Sequence, residues 1–287
     1  MTAAARPDII RDPAAADEPA VVERILPVWE RLYRLGWLRK SVIVLLLAAL
    51  WQGYADWLAN PLLFPSFSDT LKAFWGSILS GDLPARSWAS LEVLLVGYGI
   101  GIALAFVLAM LAMSVKPGND LLETLTAMFN PLPAIALLPL ALIWFGLGAG
   151  SLVFVLVHSV LWPVGLNAHA GFRAVSPTLR MVGRNYGLSS PSLALRILLP
   201  AAFPSILAGL KIGWAFAWRT LIAAEMVFGV SSGSGGLGWY IFENKTLLDT
   251  PKVFAGLLTV VLIGLAVENL VFGIIARRTV RRWGMQA

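Results

Sequence analysis

A handful of ionisable and polar residues lie inside long apolar stretches of this chain: Glu92, His158, Asn167, His169, Lys211, Arg219, Glu225, Glu268 and Asn269. At membrane depth such groups are expensive, and they face a cavity, a partner or a transport path. Arg219 lies near the middle of the apolar run 203–229, too deep to reach either end of it. It must face a cavity or pair with an acid. Glu225 is six residues on, about 240° round an ideal helix, and is a poor partner within the same helix. Glu92 or Glu268, on other runs, could pair with Arg219 instead. Two chemistries therefore stand open. Arg219 lends positive potential to an aqueous path for an anion, with Trp214 and Trp218 on the same helix, or it closes a structural ion pair between helices. Lys211 is about eight residues into the run, roughly 12 Å, and can snorkel to the nearer face.

Other chemistries find no support. The chain has no cysteine, which removes disulfides, thiolate nucleophiles and cysteine metal sites. His158 and His169 are its only histidines, too few for a histidine-built metal cluster, and they read best as polar contacts between helices. No paired-acid or histidine-rich constellation points to an enzyme. No G-x-x-x-x-G-K-[ST] occurs, so an ATP site of the P-loop kind is missing. Gly233-x-Gly235-x-x-Gly238 fits the dinucleotide pattern by letter, but it follows an apolar run and opens no βαβ unit.

The elements that position these residues follow from composition. Of 287 residues, 58% are hydrophobic and 13% charged, against about 25% charged in an ordinary soluble domain. Six runs are long enough for a bilayer core: about 41–59, 88–114, 126–147, 149–170, 203–229 and 253–276. The expected class is an all-α polytopic membrane protein with six transmembrane helices. The short turn "GLGAG" at 146–150 makes the third and fourth antiparallel neighbours. Pro131, Pro133 and Pro139 in the third can break the helix where a cavity accepts it. Gly97, Gly99 and Gly101 in the second favour close helix packing.

Charge gives the orientation. One set of flanks and loops holds Arg31, Arg34, Arg39, Lys40, Lys116, the four arginines of 171–200, and Arg277, Arg278, Arg281 and Arg282. The opposite set holds only Lys72, Arg86, Lys245 and Lys252. The basic side should be cytoplasmic, with both termini inside. The net charge of +6 then concerns orientation and lipid headgroups rather than nucleic acid. Residues 1–20 read as a disordered cytoplasmic tail. Residues 21–40 read as an amphipathic interfacial helix carrying Val22, Ile25, Leu26, Trp29, Leu32 and Tyr33, or as a helix packed on the protein's own core. Residues 41–280 form the transmembrane domain, and 281–287 a cytoplasmic tail.

The loop 171–200 contains Arg173, Arg180, Arg184 and Arg196 and no acid. Ser176-Pro177 reads as an N-cap followed by proline at the first helical position, and Gly187 suits a left-handed helix end. Leu179, Val182 and Tyr186 form one stripe, Arg180 and Arg184 another. Ser190-Pro191 starts a second helix expected to run to Pro200. An apolar and a basic stripe held between two spans suit docking into a partner's groove. The alternative is a surface helix that only orients the protein.

Gly187, Ile197, Leu199 and Pro200, in "GLSSPSLALRILLP", match the second half of the loop motif of ABC-importer permeases, EAA-x3-G-x9-I-x-L-P. The triplet departs, reading Met181-Val182-Gly183. "NPLPAIALLPLALIWFGLG" at 130–148, "AAFPSILAGLKIGWAFAWRTLIAAEM" at 201–226 and "GGLGWYIFENKTLLDTPKVFAGL" at 235–257 resemble the nitrate/sulfonate/taurine-type permeases, over roughly residues 40–280. The resemblance implies a type I ABC importer permease fold whose loop is a coupling helix. It implies an ABC ATPase dimer that holds ATP and Mg, an external or periplasmic substrate-binding protein, and a second permease protomer, expected as a homodimer. No cofactor is expected in this chain. The implied place is the bacterial inner membrane, and the implied cargo a small anion or organic acid: nitrate, sulfonate, taurine, bicarbonate or a carboxylate. ATPase coupling would rest on Leu179, Arg180, Val182, Arg184, Tyr186, Gly187, Ile197, Leu199 and Pro200. Arg219, Glu225, Trp218, Lys211, Pro131 and Pro133 are the candidates for the path. Glu225 and a basic residue at Lys211 are usual at these places in the family. An ion-coupled secondary transporter, with Arg219 and Glu225 coupling substrate to an ion, is the alternative.

Overall fold

The computed structural model describes residues 35–228 and 235–282, and every regular element among them is helical. The tail 1–20, the stripe from Val22 to Tyr33 and residues 283–287 lie outside the described residues. The chain divides into two units, 1–50 and 51–287. What is described of the first is the start of helix α1 (Gly36–Leu58). Its Val42, Ile43, Val44, Leu45, Leu46 and Leu47 are all exposed. A helix apolar on every side suits lipid. Residues 36–40, read with the interfacial segment, are the first turn of this helix.

The second unit continues with α2 (Phe67–Leu79), α3 (Asp82–Ser114), α4 (Lys116–Phe129), α5 (Leu138–Phe145) and α6 (Ala149–Ala174). Then come α7 (Pro177–Asn185), α8 (Ser190–Leu193), α9 (Leu199–Phe228), α10 (Leu237–Thr246) and α11 (Thr250–Ala266). A π-turn, Val267–Phe272, carries α11 into the short α12 (Gly273–Ala276), and a second, Arg277–Arg281, follows.

Helix α6 is the axis of the core, packed on α3 at one face and α9 at another. Missing side chains set both contacts. A Cβ on Gly97 would stand 2.6 Å from the Cβ of Leu156, and one on Gly101 would stand 2.7 Å from that of Val160. Gly99, between them, meets nothing. A Cβ on Gly209 would fall 2.7 Å from that of Asn167, and one on Gly171 would fall 2.7 Å from that of Ser205. Between helices in lipid, close backbone approach replaces the hydrophobic drive of water.

Among the described residues, five helices are long and apolar enough to cross a bilayer: Gly36–Leu58, Asp82–Ser114, Ala149–Ala174, Ala194–Val227 and Thr250–Val280. The third expected span, 126–147, is not one helix. It is a pair, Lys116–Phe129 and Ala134–Phe145, bent by 88°. Pro131 and Pro133 bring no N–H, and Pro133 takes an extended backbone (φ −61°, ψ 121°). The helix cannot pass through two prolines so placed. With the bent pair counted as one span, there are six.

The loop helix expected to end at Pro200 does not end there. Ala194–Leu198 forms a π-turn, closed by the Leu199 N–H on the Ala194 carbonyl, and α9 runs on through Pro200 and Pro204 to Phe228. A proline ring strains a helix because it clashes with the carbonyl four residues back. The widened π-turn falls where the Pro200 ring needs room. Helices α2 and α10 went unread from the sequence, as did α4 before residue 126.

Candidate functional site

Three elements converge on a cavity of about 240 Å³. The bend contributes Asn130, Pro131 and Pro133. The α6 wall contributes His158, Ser159 and Trp162, and the α9 wall Phe216, Arg219 and Thr220. Arg219 is therefore a cavity residue. Its Nε donates to the Ala215 carbonyl at 2.9 Å, and its guanidinium carbon lies 5.3 Å from the Phe216 ring centre. Among the described residues, no carboxylate reaches it. The ion pair anticipated with Glu92 or Glu268 does not form. Glu268 pairs with Lys211 instead, at 3.0 Å, between the last span and α9.

The polar groups of the α6 wall are only partly satisfied. Ser159 Oγ lies 3.1 Å from the Val155 carbonyl and 3.2 Å from Thr220 Oγ1. His158 Nε2 and Trp162 Nε1 are buried and have no hydrogen-bond partner among the described residues. Trp162 is stacked on Phe129 at 5.5 Å, and His158 stands edge-on to both rings. Pro163, inside α6, offers no N–H to the carbonyl of Ser159.

The remaining path candidates sit elsewhere. Trp218 is buried and donates to the Val260 carbonyl at 3.3 Å, off the cavity wall. Trp214 packs edge-on against Tyr98. Lys211 is held by Glu268, with the Phe272 ring 6.0 Å away. Glu225 is buried at the far end of α9, where its carboxylate accepts from the Gly238 N–H at 2.8 Å and from Ser90 Oγ. Ser90 Oγ in turn accepts the Leu237 N–H at 2.8 Å. Glu225 and Ser90 together satisfy the open N–H groups at the start of α10. Two more ties fix that helix: Ser77 to Tyr240 at 2.8 Å, and Arg86 to Glu243 at 3.0 Å. Burial pushes the Tyr240 phenol above its usual range, so it remains a hydroxyl.

At the other end of α6 and α9 lies the basic loop. The Ser176 side chain caps α7 by accepting the Leu179 N–H at 3.3 Å. Gly187 closes it with φ +71°. Its N–H bonds to the Arg184 carbonyl, and that of Leu188 to Gly183, which is the Schellman pair. Arg180 donates to the Phe172 carbonyl at 2.7 Å and ties α7 to the end of α6. Gly183 is buried. A Cβ there would meet the terminal methyls of Leu193 and Ile197, which could shift to admit it. Leu179, Val182 and Tyr186 are exposed, Tyr186 at 83%. Arg184 is exposed with them, whereas Leu199 and Pro200 are half-buried.

The cavity draws in Asn130, Ser159, Trp162 and Thr220, which the sequence did not single out. Ser159 adjoins His158, Trp162 stands one helical turn after it, and Thr220 adjoins Arg219. That α6 turns this face to Arg219 had no signal in the sequence.

Residues 97–283 match the family described as "Binding-protein-dependent transport system inner membrane component". The protein named putative aliphatic sulfonates transport permease protein SsuC, from Escherichia coli (strain K12), is 30% identical over 220 residues, 76% of this chain and 82% of that one. The protein named taurine transport system permease protein TauC, from the same organism, is 28% identical over 79% of this chain and 83% of its own length. The fold is similar to a crystal structure of an amino acid ABC transporter with histidines, at a TM-score of 0.56 and 20% identity over 73% of this chain and 98% of that one.

Proposed function

Because the chain belongs to the family of binding-protein-dependent transport system inner membrane components, and is a membrane permease subunit of ABC import, we propose that it forms the translocation path for a small anion or organic acid. The path runs by the cavity at the proline bend, with Arg219 supplying positive potential and Pro131 and Pro133 shaping the opening. Work is done by a separate cytoplasmic ATPase dimer that holds ATP and Mg, and an external binding protein delivers the cargo. Two copies of this chain pair as a homodimer, with both termini and the basic loop on the cytoplasmic side. Lys211, Trp218 and Glu225 support the helices that carry the path. Family membership sets aside the ion-coupled secondary transporter.

The observation that carries the coupling role is the exposed stripe of α7. Leu179, Val182 and Tyr186 are exposed on an element capped by Ser176, tied to α6 by Arg180 and closed by Gly187. Anchored apolar side chains in water are the usual sign of a docking face. The test is co-purification of the full chain with its candidate ATPase, beside a Tyr186→Asp, Gly187→Asp variant. Retention by the first and loss by a folded second supports the coupling role. Equal capture by both, or by neither, overturns it.

A further inference from the structure

We infer that the cavity at the proline bend is a selective oxyanion site, one that accepts simple sulfonate- or nitrate-like anions and rejects zwitterions. The inference rests on reading the cavity as part of the path and names the charge class admitted there.

Three observations converge. The first is the sign of charge. Arg219 is the one cation on the wall, and no aspartate or glutamate lines it among the described residues. Arg219 is exposed to the cavity, so its charge is open to an incoming anion and no acid on the wall competes for it. The second is the state of the guanidinium. Arg219 uses only Nε, on the Ala215 carbonyl, and neither Nη group has a partner among the described residues. Two free N–H-bearing nitrogens on one planar fork match two oxygens of one oxyanion.

The third is the set of neighbours. Trp162 is more than nine-tenths buried, with Nε1 unpartnered, and an indole N–H can only donate. His158 Nε2 is unpartnered beside it. Across the cavity, Ser159 Oγ has one proton to share between the Val155 carbonyl and Thr220 Oγ1. The Trp162 indole N–H and both Arg219 Nη groups are thus donors without an acceptor among the described residues, and an oxyanion brings acceptors. An ammonium group finds no carboxylate here. A taurine-like molecule would satisfy Arg219 with its sulfonate but set its ammonium against a wall with no carboxylate and with the Arg219 charge beside it, so a site of this kind disfavours it.

The absence of cysteine from the chain makes the test direct. Thr220→Cys places one thiol on the wall. Its reaction rate in the purified full chain is measured with an anionic sulfonatoethyl methanethiosulfonate and a cationic trimethylammonioethyl one, each normalised to a free thiol. The expected result favours the anionic reagent by at least about tenfold, the lower end of what a charged cleft adds to encounter rates. Arg219→Gln in the same background abolishes the preference. 1-Propanesulfonate slows labelling, while taurine, which carries an ammonium where the other has a methyl, does not. Ala134→Cys, at the bend that forms the opposite wall, repeats the measurement should Thr220→Cys fail to fold. Equal rates for the two reagents overturn the oxyanion site and leave the path standing. Protection by both compounds, or by neither, overturns the selectivity. A thiol that reacts with no reagent at either position overturns the path itself, and the site with it.

Discussion

Ser90 Oγ stands 2.8 Å from both oxygens of the Glu225 carboxylate and 2.8 Å from the Leu237 amide nitrogen. One hydroxyl thus joins a buried acid at the end of α9 to the first turn of α10, while Glu225 takes the Gly238 N–H directly. There is no space at the junction for more. A Cβ on Gly236 would fall on the carboxylate, and one on Gly238 would stand 2.4 Å from the Ile222 carbonyl.

Glu225→Leu should therefore destabilise the protein without touching the cavity. It orphans two buried donors, each costing about 1–3 kcal/mol. A loss of about 3 kcal/mol corresponds to a fall of roughly 5–10 °C in midpoint for a chain of this size. Thermal unfolding in detergent, followed by size-exclusion, measures it, and an unchanged midpoint would show that the junction bears no load.

Arg219→Ala should abolish or strongly reduce uptake while the permease still assembles with its ATPase. The guanidinium makes no ion pair among the described residues, so its removal strands no buried acid. Uptake in proteoliposomes and co-purification separate the two effects. Full transport by the variant would remove Arg219 from the path.

Gly187→Val should weaken ATPase capture, and Gly187→Asn should largely preserve it. At φ +71° a β-branched residue costs about 1–3 kcal/mol, whereas asparagine visits this region more readily. Equal capture by the two variants would mean that the Schellman turn does not set the aim of α7.

Gly101→Leu should part α3 from α6, because even a Cβ would stand 2.7 Å from that of Val160. Overpacking of this kind costs about 1–3 kcal/mol. Gly99→Leu, in open space, is the control. The predicted order of midpoints is Gly99→Leu well above Gly101→Leu.

Lys211 and Glu268 are each partly exposed, with 33% and 52% of the side chain accessible. Their pair is accordingly worth no more than about 1 kcal/mol where water reaches it. The charge swap Lys211→Glu, Glu268→Lys should restore what either single change loses. A swap no better than the worse single variant would argue that Lys211 acts through something other than Glu268.

Much of this was legible because local rules and tertiary demands agreed. Ser176-Pro177 and Gly187 mark the ends of α7 by cap chemistry alone, and the stripe of Leu179, Val182 and Tyr186 follows from the period of the helix. Gly97 and Gly101 lie four apart on one face, whereas Gly99 points away. Pro131 and Pro133 announced a break, though not its 88° angle, which depends on what the two arms pack against. Pro200 misled because a stop signal and a widened turn look alike in letters. Trp218 and Arg219 are adjacent in sequence yet about 100° apart on the helix, and only the position of α6 and α11 decides which of them sees the cavity. Glu225 found its partners on α3 and α10, which no periodicity within α9 could identify.

The passage of helix through Pro200 has a mechanical consequence. From Ile197, in the π-turn beside α7, to Arg219 at the cavity, the backbone is helical throughout, about 33 Å at 1.5 Å per residue. A tilt of about 5° about the loop end would sweep the arginine by about 3 Å, enough to exchange one hydrogen-bonding partner for another. A break in the helix at Pro200 would have uncoupled the two ends. The loop and the guanidinium thus lie on one continuous helical run, and if the loop is the coupling helix, a push on it would reach the charge as displacement.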